Sequence, residues 1–326
     1  MKLLFAENAT DFLERHPRLL RAVYAVEAAV MYGFWYALRA LGPERAARVG
    51  AAFLRTVGPR SRKKADLVDQ QLRVVLPDAD EVTREAIARR SWENLGMVFG
   101  DYPHLATIGA GWRMELDDAA DMTRYRNSER GAIFFGAHYA NWELMALAIA
   151  RAGVPVVALY APIRNPYLDR LMSRARAQFG CDTHPRGESV RPLLKHLRSG
   201  GSLGTLIDLR VEDGADLPFF GVTTRLPTTA ARLARGTGAD LVPILSRRLA
   251  PGHYRVSTMT PIELARVEDH ESAEAADRET TRRMVAALEA HIRVDPTQWL
   301  LANRRWEKRD LDPTWEARRA AILAGR

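Results

Sequence analysis

The chain has 326 residues, 47% of them hydrophobic, and a formal net charge of +8. This length and apolar content suffice to bury a substantial core. No linker rich in Pro, Gly or Ser and no internal repeat divides the chain, so one continuous unit is expected. The basic residues are mostly arginine, which suits bidentate contacts to phosphate and carboxylate. Acidic partners are therefore expected, with a solvated basic surface as the simpler alternative.

Several classes of site lack their sequence signals. The single cysteine, Cys181, excludes an internal disulfide and a cysteine-based zinc site and fits a reducing compartment. We expect it to be a small buried apolar residue. No metal is predicted, because the histidines are scattered. Nucleic-acid binding is disfavoured, because zinc-finger spacing, a basic zipper and an RNA-binding aromatic motif are all missing.

The first chemically suggestive segment lies near the N-terminus. Residues 22–38 are apolar apart from Glu27 and are flanked by arginines on both sides. A cleavable signal would place its apolar core earlier and end in small residues. We interpret the segment as a helix embedded in or lying on a membrane surface. A short single span and an ordinary core helix are the alternatives.

Residues 8–107 read as helical, and from residue 132 onward strands alternate with helices. This pattern predicts an α/β fold, a mostly parallel sheet flanked by helices. Strands are predicted at 132–136, 154–159, 202–208, 239–245 and 254–259, and helices at 141–152, 167–179, 190–199, 228–235 and 273–294. Ligands bind beyond the carboxyl ends of such strands, where His138, residues 161–164 and residues 208–210 are expected.

A candidate base stands at the first of these strand ends. His138 follows the apolar strand, and Glu143 falls in the first turn of the next helix if Asn141 is its N-cap. The Glu143 carboxylate would then reach back and orient the imidazole, which accepts a hydroxyl proton through its other nitrogen. The alternative is that Glu143 only favours the positive helix terminus while His138 ends a strand.

The spacing of His138 and Glu143 resembles the H-x-x-x-x-[DE] block of the bacterial lipid A late acyltransferases, the lauroyl and myristoyl types, within the lysophospholipid acyltransferase superfamily. Further segments match in order over roughly residues 20–310. They are residues 160–166 (YAPIRNP) with Asp169, 185–187 (PRG), 201–208 (GSLGTLID), Asp213 and Gly214, 218–221 (PFFG), 241–243 (LVP), 298–300 (QWL) and 304–306 (RRW).

The resemblance implies three parts: a membrane-associated helical segment at 1–45, an acyltransferase domain at 46–310 and a C-terminal helical tail at 311–326. It also implies transfer of an acyl chain from an acyl thioester to a hydroxyl of a lipid A precursor, at the cytoplasmic face of the inner membrane. Acyl carrier protein is the expected carrier, with coenzyme A as the alternative. No cofactor beyond this co-substrate is expected, and the partners include anionic membrane lipid.

The resemblance also suggests roles for residues around the base. Backbone N–H groups at Asn141, or the side chain of Arg164 or Arg210, would stabilise the oxyanion, and either arginine could equally bind phosphate or form a surface ion pair. Asp208 corresponds in the resemblance to an acidic residue near the family's site, and the alternative is that it caps the following loop. Phe219 and Phe220 are candidates for lining an acyl groove, and the alternative is that they belong to the core. Arg304 and Arg305 with Trp306 are candidates for a headgroup contact, and the alternative is an ordinary surface helix.

Three positions depart from the family pattern. Ala161 stands where the family usually has Arg, Leu209 where it has Gln, and Asn303 where it has His, and Arg164 is a candidate replacement for the missing guanidinium. These departures put the acceptor in question more than the reaction. The alternatives are an acyltransferase acting on a glycophospholipid, lysophospholipid or amino-acid lipid, and a non-catalytic lipid-binding homologue.

A different reaction class must also be considered. Residues 200–204 (GGSLG) satisfy the Gly-x-Ser-x-Gly pattern of the nucleophile elbow in α/β hydrolases. That elbow requires a strand before the serine and a helix after it. Here the predicted helix precedes Ser202 and the predicted strand follows it, so a serine esterase is disfavoured.

Overall fold

The computed structural model describes residues 10–117, 122–178, 180–307 and 311. The N-terminal third is helical, as predicted, and helices then alternate with strands. The helices are α1 Thr10–Glu14, α2 Pro17–Arg39, α3 Pro43–Val57, α4 Arg62–Val75, α5 Glu81–Asp101, α6 Leu105–Gly109, α7 Glu143–Arg151, α8 Pro166–Ala177, α9 Arg191–Arg198, α10 Thr229–Thr237 and α11 Ala273–Val294.

The strands form one large sheet and one hairpin. They are β1 Met114–Leu116, β2 Ala132–Gly136, β3 Val156–Tyr160, β4 Asp182–Pro185, β5 Ser202–Leu206, β6 Ala215–Phe219, β7 Val222–Leu226, β8 Asp240–Ala250 and β9 His253–Thr258. The seven-stranded sheet has the order β1-β9-β8-β2-β5-β3-β4, and β6 pairs with β7 alone. All its neighbours are parallel except β8 and β9. The predicted mostly parallel α/β class is confirmed.

Short local signals set several helix boundaries. The Asp80 carboxylate caps α5 by accepting from Thr83 N, and the Ser272 hydroxyl caps α11 by accepting from Ala275 N. Helix α8 begins with a proline after Asn165, whose side chain accepts from Tyr167 N. Helix α10 ends at Gly238, which adopts the left-handed conformation. The sequence therefore encodes these ends locally.

Helices α3 and α5 approach closely because they meet at glycines. A Cβ atom added to Gly50 would lie 2.1 Å from the carbonyl oxygen of Gly96, and the converse addition gives the same distance to Gly50 O. No side chain can occupy either position without moving a backbone. This contact fixes α5, which carries Asn94 and Asp101 and is followed directly by Tyr102.

Helix α2 packs against the α/β unit through polar contacts. The Asn165 amide donates to Tyr24 O at 3.0 Å and to Glu27 Oε2 at 3.1 Å. Glu27, the acidic residue in the apolar stretch, is consequently buried. Among the described residues, no helix is both long enough and apolar enough to traverse a bilayer.

Other sequence predictions needed correction or fall outside the described chain. Strands β1 and β4 and the β6–β7 hairpin were not predicted, and β8 extends to Ala250, beyond its predicted end. Helix α7 begins at Glu143, two residues later than predicted. Of the predicted C-terminal tail, only Leu311 is described, as a buried turn residue. The rest of the tail lies outside the described residues.

Candidate active site

The site begins with two residues that follow neighbouring strands. Strands β2 and β5 are parallel with Gly136 opposite Leu206, and the ladder continues as Ile207 N donates to Gly136 O at 3.1 Å. His138 and Asp208 each lie two residues beyond this pair. The register therefore brings them together, with His138 Nδ1 2.7 Å from Asp208 Oδ1.

This contact corrects the predicted partner of His138. The sequence pointed to Glu143 as the orienting carboxylate, but the ring contacts Asp208 instead. In the neutral ring, an Nδ1–H donating to the carboxylate leaves Nε2 as an acceptor. The side chain of His138 is 15% exposed, so the ring lies at an accessible edge while Asp208 is buried. The pair has the arrangement of a general base held by a buried acid.

The second oxygen of Asp208 is held as firmly as the first. Trp299 Nε1 donates to Oδ2 at 2.9 Å, and the Nη2 of Arg305 donates to the same oxygen at 2.8 Å. Burial alone raises the pKa of the Asp208 carboxyl, but the charges and hydrogen bonds of His138 and Arg305 outweigh burial. The net pKa lies well below its usual range, so the carboxyl is an anion at neutral pH.

The turn that carries His138 is fixed from outside. Ala140 has a φ of 46°, an unfavourable value for a residue with a Cβ atom. Its N–H donates to Gln298 O at 2.7 Å, and Leu300 N donates to His138 O at 2.9 Å. Tyr139 forms an isolated antiparallel bridge with Trp299. The segment that follows α11 therefore holds the turn in a strained conformation.

Glu143 belongs to a separate ion pair beside the base. Its Oε2 accepts from Arg176 Nε at 2.8 Å, and its Oε1 accepts from Arg176 at 2.6 Å and from Tyr102 at 3.0 Å. Burial raises the pKa of Glu143, but Arg176 and Tyr102 lower it by more than burial raises it. The net pKa is therefore below its usual value. Glu143 is thus an ionised residue that ties α7 to α8 and to the end of α5.

Asn141 is a structural residue rather than a substrate contact. It is fully buried, and its Oδ1 accepts from Glu143 N at 3.3 Å while its Nδ2 donates to Asp101 at 3.3 Å. The cap position of α7 falls on Trp142. Leu144 N donates to Asn141 O and Met145 N to Trp142 O, so these N–H groups, like that of Glu143, are used internally. The predicted roles of Asn141 as N-cap and substrate ligand are corrected accordingly.

An apolar cavity of about 210 Å³ opens beside His138. Its walls come from strands β2, β3, β4, β5 and β8, from helices α7 and α8, and from the segments between them. Glu143, Arg176 and Arg186 are its charged lining residues apart from His138. Its apolar lining is Phe134, Trp142, Met145, Ala146, Ile149, Ala158, Leu159, Ala161, Cys181, Leu206, Leu209 and Ile244. The geometry places His138 at the wall of an apolar cavity.

The remaining predicted contacts lie elsewhere. Arg164 pairs with Glu14, and Arg210 pairs with Glu307 at 2.8 Å. Neither arginine lines the cavity beside His138. Arg304 is exposed. The roles proposed for these three arginines stay predictions.

Two predicted contacts are corrected outright. Phe219 and Phe220 do not line the cavity; they pack with Trp299 and Trp306 in a buried aromatic cluster. Arg305, predicted as a headgroup contact, is 0% exposed and pairs with Asp208. The Gly-x-Ser-x-Gly pattern is likewise structural. Ser202 is buried at the start of β5, and its Oγ accepts from Ala132 N at 3.1 Å.

Arg176, Arg186 and Trp299 were not predicted as site residues, although Arg186 and Trp299 lie in the matching segments 185–187 and 298–300. No local pattern marks Arg176, because its partner Glu143 is 33 positions away. The sequence did contain a signal for Asp208. His138 and Asp208 each lie at the carboxyl end of a predicted strand, and adjacent parallel strands bring such residues together. Using it required knowing that β5 rather than β3 neighbours β2.

Comparison with known proteins identifies the family of the chain. The family of bacterial lipid A biosynthesis acyltransferases matches residues 13–308. Because that match covers most of the chain, the protein belongs to this family of acyltransferases.

Several known acyltransferases match most of this chain at low sequence identity. The lipid A biosynthesis lauroyltransferase of Escherichia coli is 26% identical over 76% of this chain and 80% of its own. The lipid A biosynthesis myristoyltransferase of the same organism is 24% identical over 88% of this chain and 87% of its own. The phosphatidylinositol mannoside acyltransferase of Mycolicibacterium smegmatis is 26% identical over 70% of this chain and 71% of its own.

Among solved structures, the 1-acyl-sn-glycerophosphate acyltransferase PlsC of Thermotoga maritima aligns over 87% of this chain and 100% of its own, at 12% identity and a TM-score of 0.34.

Proposed function

We propose that this protein transfers a fatty acyl chain from an acyl thioester to a hydroxyl group of a lipid A precursor. His138 Nε2 takes the proton of the acceptor hydroxyl, and the oxygen attacks the thioester carbonyl. The tetrahedral intermediate collapses, the C–S bond breaks, and the leaving thiolate takes the proton back from His138. Acyl ester and free thiol are the products, and both atoms and charge balance.

The observation that supports this proposal most strongly is that His138, held by the buried Asp208, lines an apolar cavity. Among the described residues, no serine, threonine or cysteine is hydrogen-bonded to His138, which suits a reaction in which the substrate supplies the hydroxyl. The buried, ionised Asp208 stabilises the imidazolium that forms when the proton is taken. A direct transfer in a ternary complex therefore needs no acyl-enzyme intermediate.

The cavity is the proposed place of the acyl chain. Hydrocarbon tails gain free energy when they leave water for an apolar chamber, and most of the lining side chains are apolar. Acyl carrier protein is the proposed donor because the chain is basic and carriers of this kind are acidic. Coenzyme A is the competing carrier.

The acceptor assignment follows from the family. Lipid A lauroyl- and myristoyltransferases are relatives over most of the chain. The similarity to a phosphatidylinositol mannoside acyltransferase favours a second candidate, transfer to another membrane glycolipid. The departures at Ala161 and Leu209 keep this candidate open, because both residues line the cavity beside His138.

We also propose attachment to the cytoplasmic face of the inner membrane through an apolar face of α2 and α3. This α2/α3 face consists of Leu19, Val26, Val30, Val49 and Phe53, each at least 45% exposed. The Phe34 and Phe53 rings lie 6.0 Å apart and join the two helices. Arginines at positions 15, 18, 21, 39, 45 and 48 flank the face and suit anionic lipid headgroups.

The test is acyl transfer by purified protein in lipid vesicles with labelled acyl donors. We expect acyl carrier protein thioesters to be used faster than coenzyme A thioesters, with a lipid A precursor as acceptor. His138→Ala should abolish transfer. Ser202→Ala should retain it, because the Ser202 hydroxyl accepts a hydrogen bond from the backbone of β2. Transfer by His138→Ala at the native rate, or loss of transfer in a folded Ser202→Ala, would refute the mechanism.

A further inference from the structure

The buried guanidinium of Arg305 stands directly behind the proposed base pair. Arg305 is 0% exposed, and its Nη2 donates to Asp208 Oδ2 at 2.8 Å while its Nε donates to Asp208 O at 3.3 Å. Its Nη1 donates to Asn303 O at 2.7 Å and to Leu300 O. The guanidinium carbon lies 4.1 Å from the centre of the Trp299 ring. Every described contact of this side chain is thus to Asp208 or to the segment that follows α11.

That segment, residues 298–306, also holds the turn of the base. Within it, Gln298 O accepts a hydrogen bond from Ala140 N, and Leu300 N donates one to His138 O. The Gln71 side chain anchors it from α4, since Gln71 Oε1 accepts from Arg305 N at 3.1 Å and Gln71 Nε2 donates to Leu301 O. The base and the acid are therefore positioned by the same nine-residue stretch.

We propose that Arg305 and Trp299 are positioning residues for acyl transfer. They fix the Asp208 carboxylate as an anion with Oδ1 turned toward His138. The proposal rests on the proposed role of His138 as base. It gives the arginine a role in the reaction without contact with any substrate.

The charges around Asp208 support this assignment. An isolated carboxylate as buried as Asp208 would take up a proton instead of staying charged. The groups that interact electrostatically with Asp208 are Arg305, His138 and Arg186, and Glu143 interacts electrostatically with His138. Among them, Arg305 is the fully buried cation in direct contact with the carboxylate. Removing it should make proton binding by the His138–Asp208 pair more favourable.

A titration of the histidine ring tests this without relying on catalysis. The full chain, labelled with ¹⁵N at its 8 histidines, is followed by NMR against pH, and the His138 signal is assigned from its loss in His138→Ala. In Arg305→Met, we expect the midpoint of this signal to rise by about one pH unit, a tenfold change in proton affinity. Arg305→Lys keeps the charge and should stay near the wild type.

Two further variants protect the test against misfolding. Trp299→Phe keeps an aromatic ring but removes the donor to Asp208 Oδ2, so we expect a smaller shift in the same direction. Arg282→Met removes an exposed arginine of α11 that pairs with Glu279 and should leave the midpoint unchanged. If Arg305→Met does not fold, the presence or absence of the shift in Trp299→Phe decides the question.

Kinetics provide the second measurement. In Arg305→Met and Trp299→Phe, kcat should fall while KM for the acyl donor stays near the wild-type value, and the acid limb of the kcat profile should move to higher pH. An unchanged histidine midpoint in folded Arg305→Met and Trp299→Phe would overturn the positioning role. Failure of the proposed function would appear differently, as native transfer rates in His138→Ala with the midpoint shift still present.

Discussion

Asp208 presents one carboxylate oxygen to His138 and the other to Trp299 and Arg305. Asp208→Asn keeps the shape of the side chain but removes its charge and can donate a hydrogen bond toward the ring. The ring would then favour the tautomer whose Nε2 carries the proton. We expect kcat to fall by about 10⁴-fold, as for the equivalent change in a serine protease triad. Steady-state kinetics with acyl thioester and acceptor measure this.

Glu143→Gln is the matched variant for that experiment. Glu143 contacts Arg176 and Tyr102 and not the ring, so its conversion to an amide should lower kcat far less than Asp208→Asn does. The reverse ranking, with a folded Asp208→Asn more active than Glu143→Gln, would restore Glu143 as the functional partner of His138.

Gly204 offers a direct test of the acyl cavity. It lies on β5 in the cavity wall, and a Cβ atom there would meet its nearest neighbours, on Ala158 and Val156, at 3.9 Å. Gly204→Val therefore fits the backbone but reduces the chamber. We expect its preference to move toward shorter acyl thioesters, measured as relative kcat/KM across a series of chain lengths. Gly236→Val on the exposed side of α10 should leave the preference unchanged, and an unchanged preference in Gly204→Val would contradict the placement of the chain.

At the scale of elements, the Glu143–Arg176 ion pair joins α7 to α8, and Tyr102 joins both to the end of α5. Glu143→Gln leaves the mostly buried Arg176 without its counter-charge. We expect this to lower the free energy of unfolding by about 3 kcal/mol at neutral pH, a typical cost for breaking a buried pair. Denaturant unfolding followed by tryptophan fluorescence measures the difference.

The same ion pair predicts how this difference depends on pH. The folded state lowers the pKa of Glu143 below its usual 4.5. Its ionisation therefore stabilises the fold fully above that value, and the contribution is lost as pH falls through the lower folded-state pKa. The stability gap between wild type and Glu143→Gln should be constant from about pH 6 to 8 and shrink on acidification. A gap that widened in acid would contradict the ion pair.

The elements themselves were largely predictable from sequence. Strand β2 and helix α11 have the predicted bounds, because an apolar run and a long amphipathic pattern with a serine cap are strong local signals. The short β4 and the β6–β7 hairpin were missed, because edge strands and isolated hairpins bury few apolar residues. The partner of His138 was mistaken for a related reason: Glu143 is near in sequence, whereas strand order decides that Asp208 is near in space.

At the scale of the whole molecule, the α2/α3 face and its flanking arginines predict reversible attachment to an anionic bilayer. Val30→Glu and Phe53→Glu together place two carboxylates on this face, where burial in the interface would be costly. We expect much weaker binding to vesicles that contain anionic phospholipid, measured by co-sedimentation, and weaker binding of the wild type at high salt.

The control is Val82→Glu, a change at a 76% exposed valine near the start of α5 and outside the α2/α3 face. It should bind vesicles as the wild type does. Equal binding by the double variant and the wild type would show that another surface meets the membrane.

In the proposed reaction, His138 acts as the base of an acyl transfer to a lipid A precursor. Mass spectrometry of lipid A and of the whole polar-lipid extract, from cells that carry the native chain or His138→Ala, tests this role. We predict a lipid A species in the variant that lacks one secondary acyl chain, with the missing mass giving the chain length. A deficit confined to another lipid class would contradict the acceptor, and identical lipids in both strains would contradict catalysis by His138.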